Sequence, residues 1–248
     1  MVTRALGSII DAGSLFRLES GGGSILGTAA PVDGRGYFLT AAHCLSVAVP
    51  GDQIVLVAQR EKKTVQVVKQ WTDEGRDLVL LHSRVTPERV LEQRGTKLRD
   101  GEKVTIAGIM KYGQDSRMRL WQGSVDMKGS DDTVLRIYMN PRKKLPNVQR
   151  GPSGGPAVDL HGTLVGILFG VLSKRMPIGE LIDSKRQRKL ERHLSKAYAK
   201  LMLKAKFSCK RCEVSPILPV LGELRTAINN HVKELDWKRR EEIRASKS

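Results

Sequence analysis

Cysteine is scarce in this 248-residue chain, occurring only at positions 44, 209 and 212. Three thiols, two of them clustered, exclude the disulfide framework of a small secreted protein and point to a reducing compartment. Long hydrophobic runs are missing as well: no stretch approaches the roughly 18 apolar residues that a membrane span requires. Charges and glycines interrupt Met1 to Ala30, which therefore lacks a signal-peptide core. The expectation is a soluble, unexported, intracellular protein. Aromatic residues make up only 4 % of the chain, and acidic residues are in deficit, 26 against 43 Lys and Arg for a net charge of +17. That balance excludes an acidic solvating protein, while 40 % apolar residues in a chain of this length suffice for a substantial core.

The basic excess is uneven. Residues 173–248 hold 20 Lys and Arg against 9 Asp and Glu. Residues 1–172 read as about eleven short strands rich in Val, Ile, Leu and Thr, separated by Gly, Asp and Ser turns, with no regular interleaving of helices. That pattern predicts a mainly β domain, a sandwich or pair of barrels, rather than a doubly wound parallel sheet. The polar stretch 86–101 breaks the alternation and is the expected linker between two barrels. Beyond Val171 the period changes. Leu190, Leu194, Ala197, Tyr198 and Leu201, then Leu221, Leu224, Ile228, Val232 and Leu235, recur at helical spacing. Residues 173–248 are accordingly expected to form a basic α-helical hairpin, its helices joined by a turn containing Cys209 and Cys212.

Three segments carry chemistry. Leu39-Thr40-Ala41-Ala42-His43-Cys44 places His43 just after an apolar strand, where a short loop would project its imidazole into a cleft. Thirty-four residues later, Asp77 heads the apolar run Leu78-Val79-Leu80-Leu81. A carboxylate there costs several kcal/mol if unpaired, and the Nδ1–H of His43 would satisfy it. Gly151-Pro152-Ser153-Gly154-Gly155-Pro156 then surrounds a serine with residues that permit a tight turn and close substrate approach. Amide hydrolysis by a serine needs a nucleophile, a base, a carboxylate that orients the base, and N–H donors for the oxyanion. Ser153, His43 and Asp77 fill the first three roles. The backbone N–H groups of Gly151 and Ser153 fill the fourth, and Pro152, which has no N–H, removes nothing that this scheme uses.

Thr-Ala-Ala-His-Cys, Asp-Leu-Val-Leu-Leu and Gly-Pro-Ser-Gly-Gly-Pro, in that order, resemble the trypsin/chymotrypsin-like serine proteases over roughly residues 10–172. The resemblance is nearer to compact Deg/HtrA-type and viral trypsin-like members than to secreted digestive enzymes. It implies a chymotrypsin-like double β-barrel and serine endopeptidase activity through an acyl-enzyme, with His43, Asp77 and Ser153 as the triad and no cofactor or metal. Gly151–Gly155 also fits the Gly-x-Ser-x-Gly elbow of α/β-hydrolases, but those require a helix after the serine and the order Ser, acid, His. By the same resemblance, Asn147 lies near the base of the primary specificity pocket and Leu168, Phe169 and Gly170 form its wall. The lack of an acid at 147 disfavours Arg or Lys substrates. Secreted members pair the cysteine beside the histidine with one on the preceding strand. No cysteine precedes Cys44 here, so a free, partly buried thiol is expected.

Other features keep more than one reading. His82 and His161 read as surface or loop histidines. Cys209 and Cys212 read as ordinary thiols at a helix turn, with half a zinc site completed by His193 or His231 as the alternative. The basic run 185–206 reads as a solvated helical face or as a non-specific, salt-dependent contact to nucleic acid or an anionic membrane. The partners implied are a protein or peptide substrate, such an anionic surface, and the chain's own precursor if it processes itself. A second class of function stays open: a catalytically inactive protease fold that binds through its basic tail.

Overall fold

The computed structural model describes residues 15–46, 53–58, 64–112, 115–139, 152–177 and 206–245. Twelve strands are formed among them. Six strands, β1 (Phe16–Ser20), β2 (Ile25–Asp33), β3 (Tyr37–Ala41), β4 (Ile54–Ala58), β5 (Thr64–Asp73) and β6 (Leu78–Ser83), close an antiparallel barrel in the order β1-β2-β3-β6-β5-β4. A second barrel consists of β7 (Lys103–Tyr112), β8 (Asp115–Asp126), β9 (Leu135–Met139), β10 (Pro156–Val158), β11 (Leu164–Pro177) and β12 (Lys206–Pro216), in the order β10-β11-β12-β9-β8-β7. Closure removes the free edges that open sheets must protect. The single-turn helix α1 (His43–Ser46) follows β3, and the long helix α2 (Leu221–Ala245) ends the described chain.

All eleven strands expected from the sequence form, and all but β11 end within a few residues of the expected bounds. In β3 every residue is buried, and in β6 all but His82, because the barrel core covers one face and neighbouring elements the other. Leu18, Phe38, Leu39, Leu56, Leu78 and Leu80 are at the centre of the first barrel, and Ile106, Ile137, Val165 and Val214 at that of the second.

Two expectations require correction. The second barrel does not end at residue 172. β11 runs on to Pro177 and pairs antiparallel with β12, from Gly166 opposite Pro216 to Pro177 opposite Lys206. Cys209 and Cys212 therefore lie in a barrel strand, not in a turn between helices. The backbone N–H and C=O groups of β9 and β11 supply β12 with a partner on each side. That lateral pairing outweighs a sequence with few apolar residues. Of the two expected helices, the first falls on residues 178–205, outside the described residues. The second forms as α2.

Leu221, Leu224 and Ile228 of α2 are buried against the first barrel and Val232 is partly so, whereas Leu235, the last of the apolar stripe, is 40 % exposed. The chain thus leaves the second barrel through β12 and returns to the first. Tyr37 Oη and His231 Nδ1 meet at 2.8 Å, and His82 packs against both rings, with centroids 4.8 Å from Tyr37 and 4.7 Å from His231. His82 is therefore a half-buried strand residue rather than a loop histidine.

The linker at 86–101 contains no helix or ladder of its own, yet it is bonded to both barrels. Leu91 N–H donates to Pro31 O at 3.0 Å and Gln93 Nε2 to Val32 O at 2.8 Å. On the other side, Arg94 N–H donates to Leu164 O and Leu164 N–H to Glu92 O.

Candidate active site

Antiparallel pairing of β3 with β6 sets Ala41 opposite Leu78. His43, two residues beyond Ala41, and Asp77, one residue before Leu78, thus leave the sheet at the same end. Asp77 Oδ1 accepts the His43 backbone N–H at 2.7 Å, and Asp77 Oδ2 lies 2.6 Å from His43 Nδ1. Ala42 N–H donates to Asp77 O at 2.9 Å. Asp77 adopts φ +53°, a left-handed conformation that Asp tolerates better than most residues and that here turns its carboxylate back onto the histidine. The turn is braced from the second barrel, where Ser215 Oγ donates to Arg76 O and Asp132 O accepts from the Arg76 guanidinium.

The Asp77 carboxylate, accepting from the ring, raises His43 from its usual value to about 10; the neighbouring Cys44 thiol adds to the effect and burial partly opposes it. Cys44 Sγ is 3.9 Å from His43 Nε2. Cys44 is free, as expected, and fully rather than partly buried.

Ser153 occupies a turn that packs tightly between the barrels. Gly154 has φ +83°, and a Cβ there would come within 2.1 Å of both Thr28 O and Thr40 Oγ1. At Gly155 a Cβ would lie 1.9 Å from Ala107 O. Neither position admits a side chain, which is the physical reason for Gly-Gly after the serine. Gly154 N–H donates to Leu168 O at 2.7 Å and Leu168 N–H to Gly155 O at 2.8 Å, fastening the turn to β11. Among the described residues, none accepts the Ser153 N–H. Among them, too, no hydrogen bond joins Ser153 Oγ to His43.

Asn147 and Gly151 lie outside the described residues. Leu168 is 1 % exposed with its side chain in the core of the second barrel, so of the expected pocket wall it offers only its backbone. Phe169, at a bulge in β11, and Gly170 are partly exposed. Cys212 is buried in the same barrel, where desolvation pushes its thiol up to about 12, while His231 packs on the other barrel against Tyr37. These two expected zinc ligands are thus not brought together. His193 lies outside the described residues. Among the described residues no group of three His, Cys, Asp or Glu side chains converges, and no helix is long and apolar enough to cross a membrane.

Sequence reasoning missed the buried polar pair beneath the turn. Thr28 and Thr40 are fully buried, with Thr40 Oγ1 donating to Thr28 O at 2.7 Å. Thr40 belongs to the motif that ends in His43, but a threonine in a strand such as β2 carries no sign of its role.

The family model for Trypsin matches residues 14–183. No curated protein matches the chain. Among solved structures, a mutant of the Rv3671c protease from M. tuberculosis H37Rv in its inactive form, with a serine replaced by alanine, has 19 % identity and a TM-score of 0.51, covering 68 % of this chain and 83 % of its own. The active form of the same protease has 20 % identity and a TM-score of 0.49, covering 68 % and 73 %. With two closed six-stranded barrels and a family match over more than half of its length, the chain belongs to the trypsin family of serine proteases.

Proposed function

We propose that this chain is a serine endopeptidase in which Ser153 is the nucleophile, His43 the general base and then acid, and Asp77 the residue that orients His43. The observation that carries the reading is the double clasp of Asp77 on His43, one oxygen on the backbone N–H and the other on Nδ1. It fixes the ring with Nδ1 toward the carboxylate and leaves Nε2 as the nitrogen that can exchange a proton. Ser153 Oγ adds to the scissile carbonyl carbon as its proton passes to His43 Nε2. The oxyanion takes hydrogen bonds from the N–H groups of Ser153 and Gly151. Collapse breaks the C–N bond, the amine leaves with the proton held by His43, and Ser153 remains acylated. Water then adds through the same base, and the acid product departs as the Ser153 proton returns. Phe169, Gly170, the Leu168 backbone and Asn147 would line the primary pocket.

The test is fluorophosphonate labelling of wild type and Ser153→Ala read by intact mass. One adduct on wild type and none on the variant is expected; an unlabelled wild type would overturn the reading.

A second reading rests on charge. Residues 178–205 contain eight Lys and Arg against three Asp and Glu, and both ends of this segment join paired strands of the second barrel. Binding of nucleic acid or an anionic membrane through 185–206 would weaken steeply with salt. It would survive Ser153→Ala and vanish when residues 178–205 are replaced by a short glycine linker.

A further inference from the structure

Thr28 is the residue at which both barrels and the nucleophile turn meet. It lies on β2 of the first barrel and is fully buried. Its N–H donates to Ser153 O at 2.8 Å, and its own carbonyl accepts Thr40 Oγ1 at 2.7 Å, three residues before His43. Its side-chain oxygen, Oγ1, accepts the backbone N–H of Ile109 at 2.9 Å, and Ile109 belongs to β7 of the second barrel. The neighbouring Gly108 abuts Pro152, where a Cβ would come within 2.8 Å. The Ser153 turn is thus held between β2 and β7, and the Thr28 hydroxyl links those two strands through a buried side-chain-to-backbone bond.

Building on the proposed Ser153 nucleophile, we infer that Thr28 Oγ1 is a positioning residue that sets the spacing of the two barrels across the cleft, and through it the approach of Ser153 to His43. A buried N–H that loses its acceptor is strongly unfavourable, and the barrels relax until water or another group satisfies it. The relaxation lies on the strand that holds the Ser153 carbonyl. A displacement of about 1 Å in a reacting group costs up to about 100-fold in rate. The effect falls on kcat, because the hydroxyl itself touches no substrate.

Thr28→Val keeps the side-chain shape and removes the acceptor, whereas Thr28→Ser keeps the acceptor. Each is compared with wild type by kcat and KM on a peptide substrate per titrated active site, and by the second-order rate of fluorophosphonate labelling at Ser153. For Thr28→Val the expected result is a kcat and labelling rate lower by about 10- to 100-fold with KM within about threefold. Thr28→Ser should stay within about threefold of wild type. A purely structural threonine would instead lower melting temperature and the titratable fraction while kcat per titrated site held. If Thr28→Val does not fold, Thr28→Ala replaces it, and alanine and serine variants with equal kcat per site overturn the inference. So does Thr28→Val at the wild-type rate when wild type is labelled, which leaves the nucleophile assignment intact. A wild type that is not labelled overturns both.

Discussion

At the scale of single residues, the contact on which the proposed mechanism turns is between His43 and Asp77. A general base must be unprotonated, and Asp77 holds the His43 proton up to about 10 in the free protein. kcat/KM reports the ionisation of the free enzyme, so it should climb through pH 7–9 rather than level off near the ordinary histidine value of about 6.5. Asp77→Asn removes the carboxylate that is the main cause of the shift. The limb should then move down toward that ordinary value while kcat falls by about 10⁴-fold, because the amide favours the wrong tautomer. A limb at the same pH in both proteins would refute the coupling. Linkage gives stability the opposite sign: a raised folded-state value means that His43 stabilises the fold fully below about 6.5 and loses that contribution as pH rises through about 10. The pairing of His43 with Asp77 was legible because each is set in a short motif of special composition, Ala-Ala-His-Cys and Asp before four apolar residues, and Ser153 was singled out as a candidate by the Gly-Gly that follows it. Thr28 was not, because its role arises from Ile109 and Ser153, which are 81 and 125 positions away.

At the scale of elements, α2 is the piece whose docking responds to pH. Its apolar anchors, Leu224 and Ile228, contribute by burial, and truncating either to Ala costs about 2–5 kcal/mol. Beside them His231 meets His82 and Tyr37, and burial lowers both histidines below their usual value; Arg84 on the barrel side and Lys238 on the helix act in the same direction, while Glu234 opposes them at His231. A lowered folded-state value means that the unfolded chain takes up protons first. The stability held by this cluster is therefore complete above about 6.5 and is lost as pH falls through the depressed values. The urea midpoint of wild type should drop more steeply between pH 7.5 and 5 than that of a His82→Gln/His231→Gln variant. Parallel curves would show that the pair does not govern docking. The helix was legible because its apolar residues fall three and four apart. β12 was hidden, since its sequence, Lys206–Pro216, carries three charged residues between its two cysteines and after them and lacks a regular alternation of apolar residues. Its pairing with β9 and β11, rather than an alternating apolar pattern in Lys206–Pro216, makes it a strand.

At the scale of the whole molecule, the linker takes part in fixing the arrangement of the two barrels. The sequence marked 86–101 as a connector by its broken alternation but gave no hint that it is bonded on both sides. Arg94 shows why, since its partners Glu102 and Asp159 are 8 and 65 positions away. Asp159 is only 4 % exposed at its side chain and lies 3.0 Å from the Arg94 guanidinium. Burial alone would raise its carboxyl, but hydrogen bonds from Thr163, from the His161 N–H and from Arg94 outweigh that and hold it below its ordinary value. Arg94→Ala would leave this carboxylate buried without its cation, a change that costs about 3–5 kcal/mol. The loss falls on the strap between the barrels, whose own cores, centred on Leu39 and Leu80 and on Ile106 and Ile137, remain whole. Unfolding should accordingly lose its unity before either barrel loses its fold. Trp71 reports on the first barrel and Trp121 on the second. In single-tryptophan versions of the wild type the two urea transitions should coincide, as two-state behaviour requires. In Arg94→Ala they should separate, with proteolytic activity disappearing at the earlier one. Coincident transitions in the variant would mean that the Thr28 bridge and the packing of α2 and the Ser153 turn hold the barrels together without the strap.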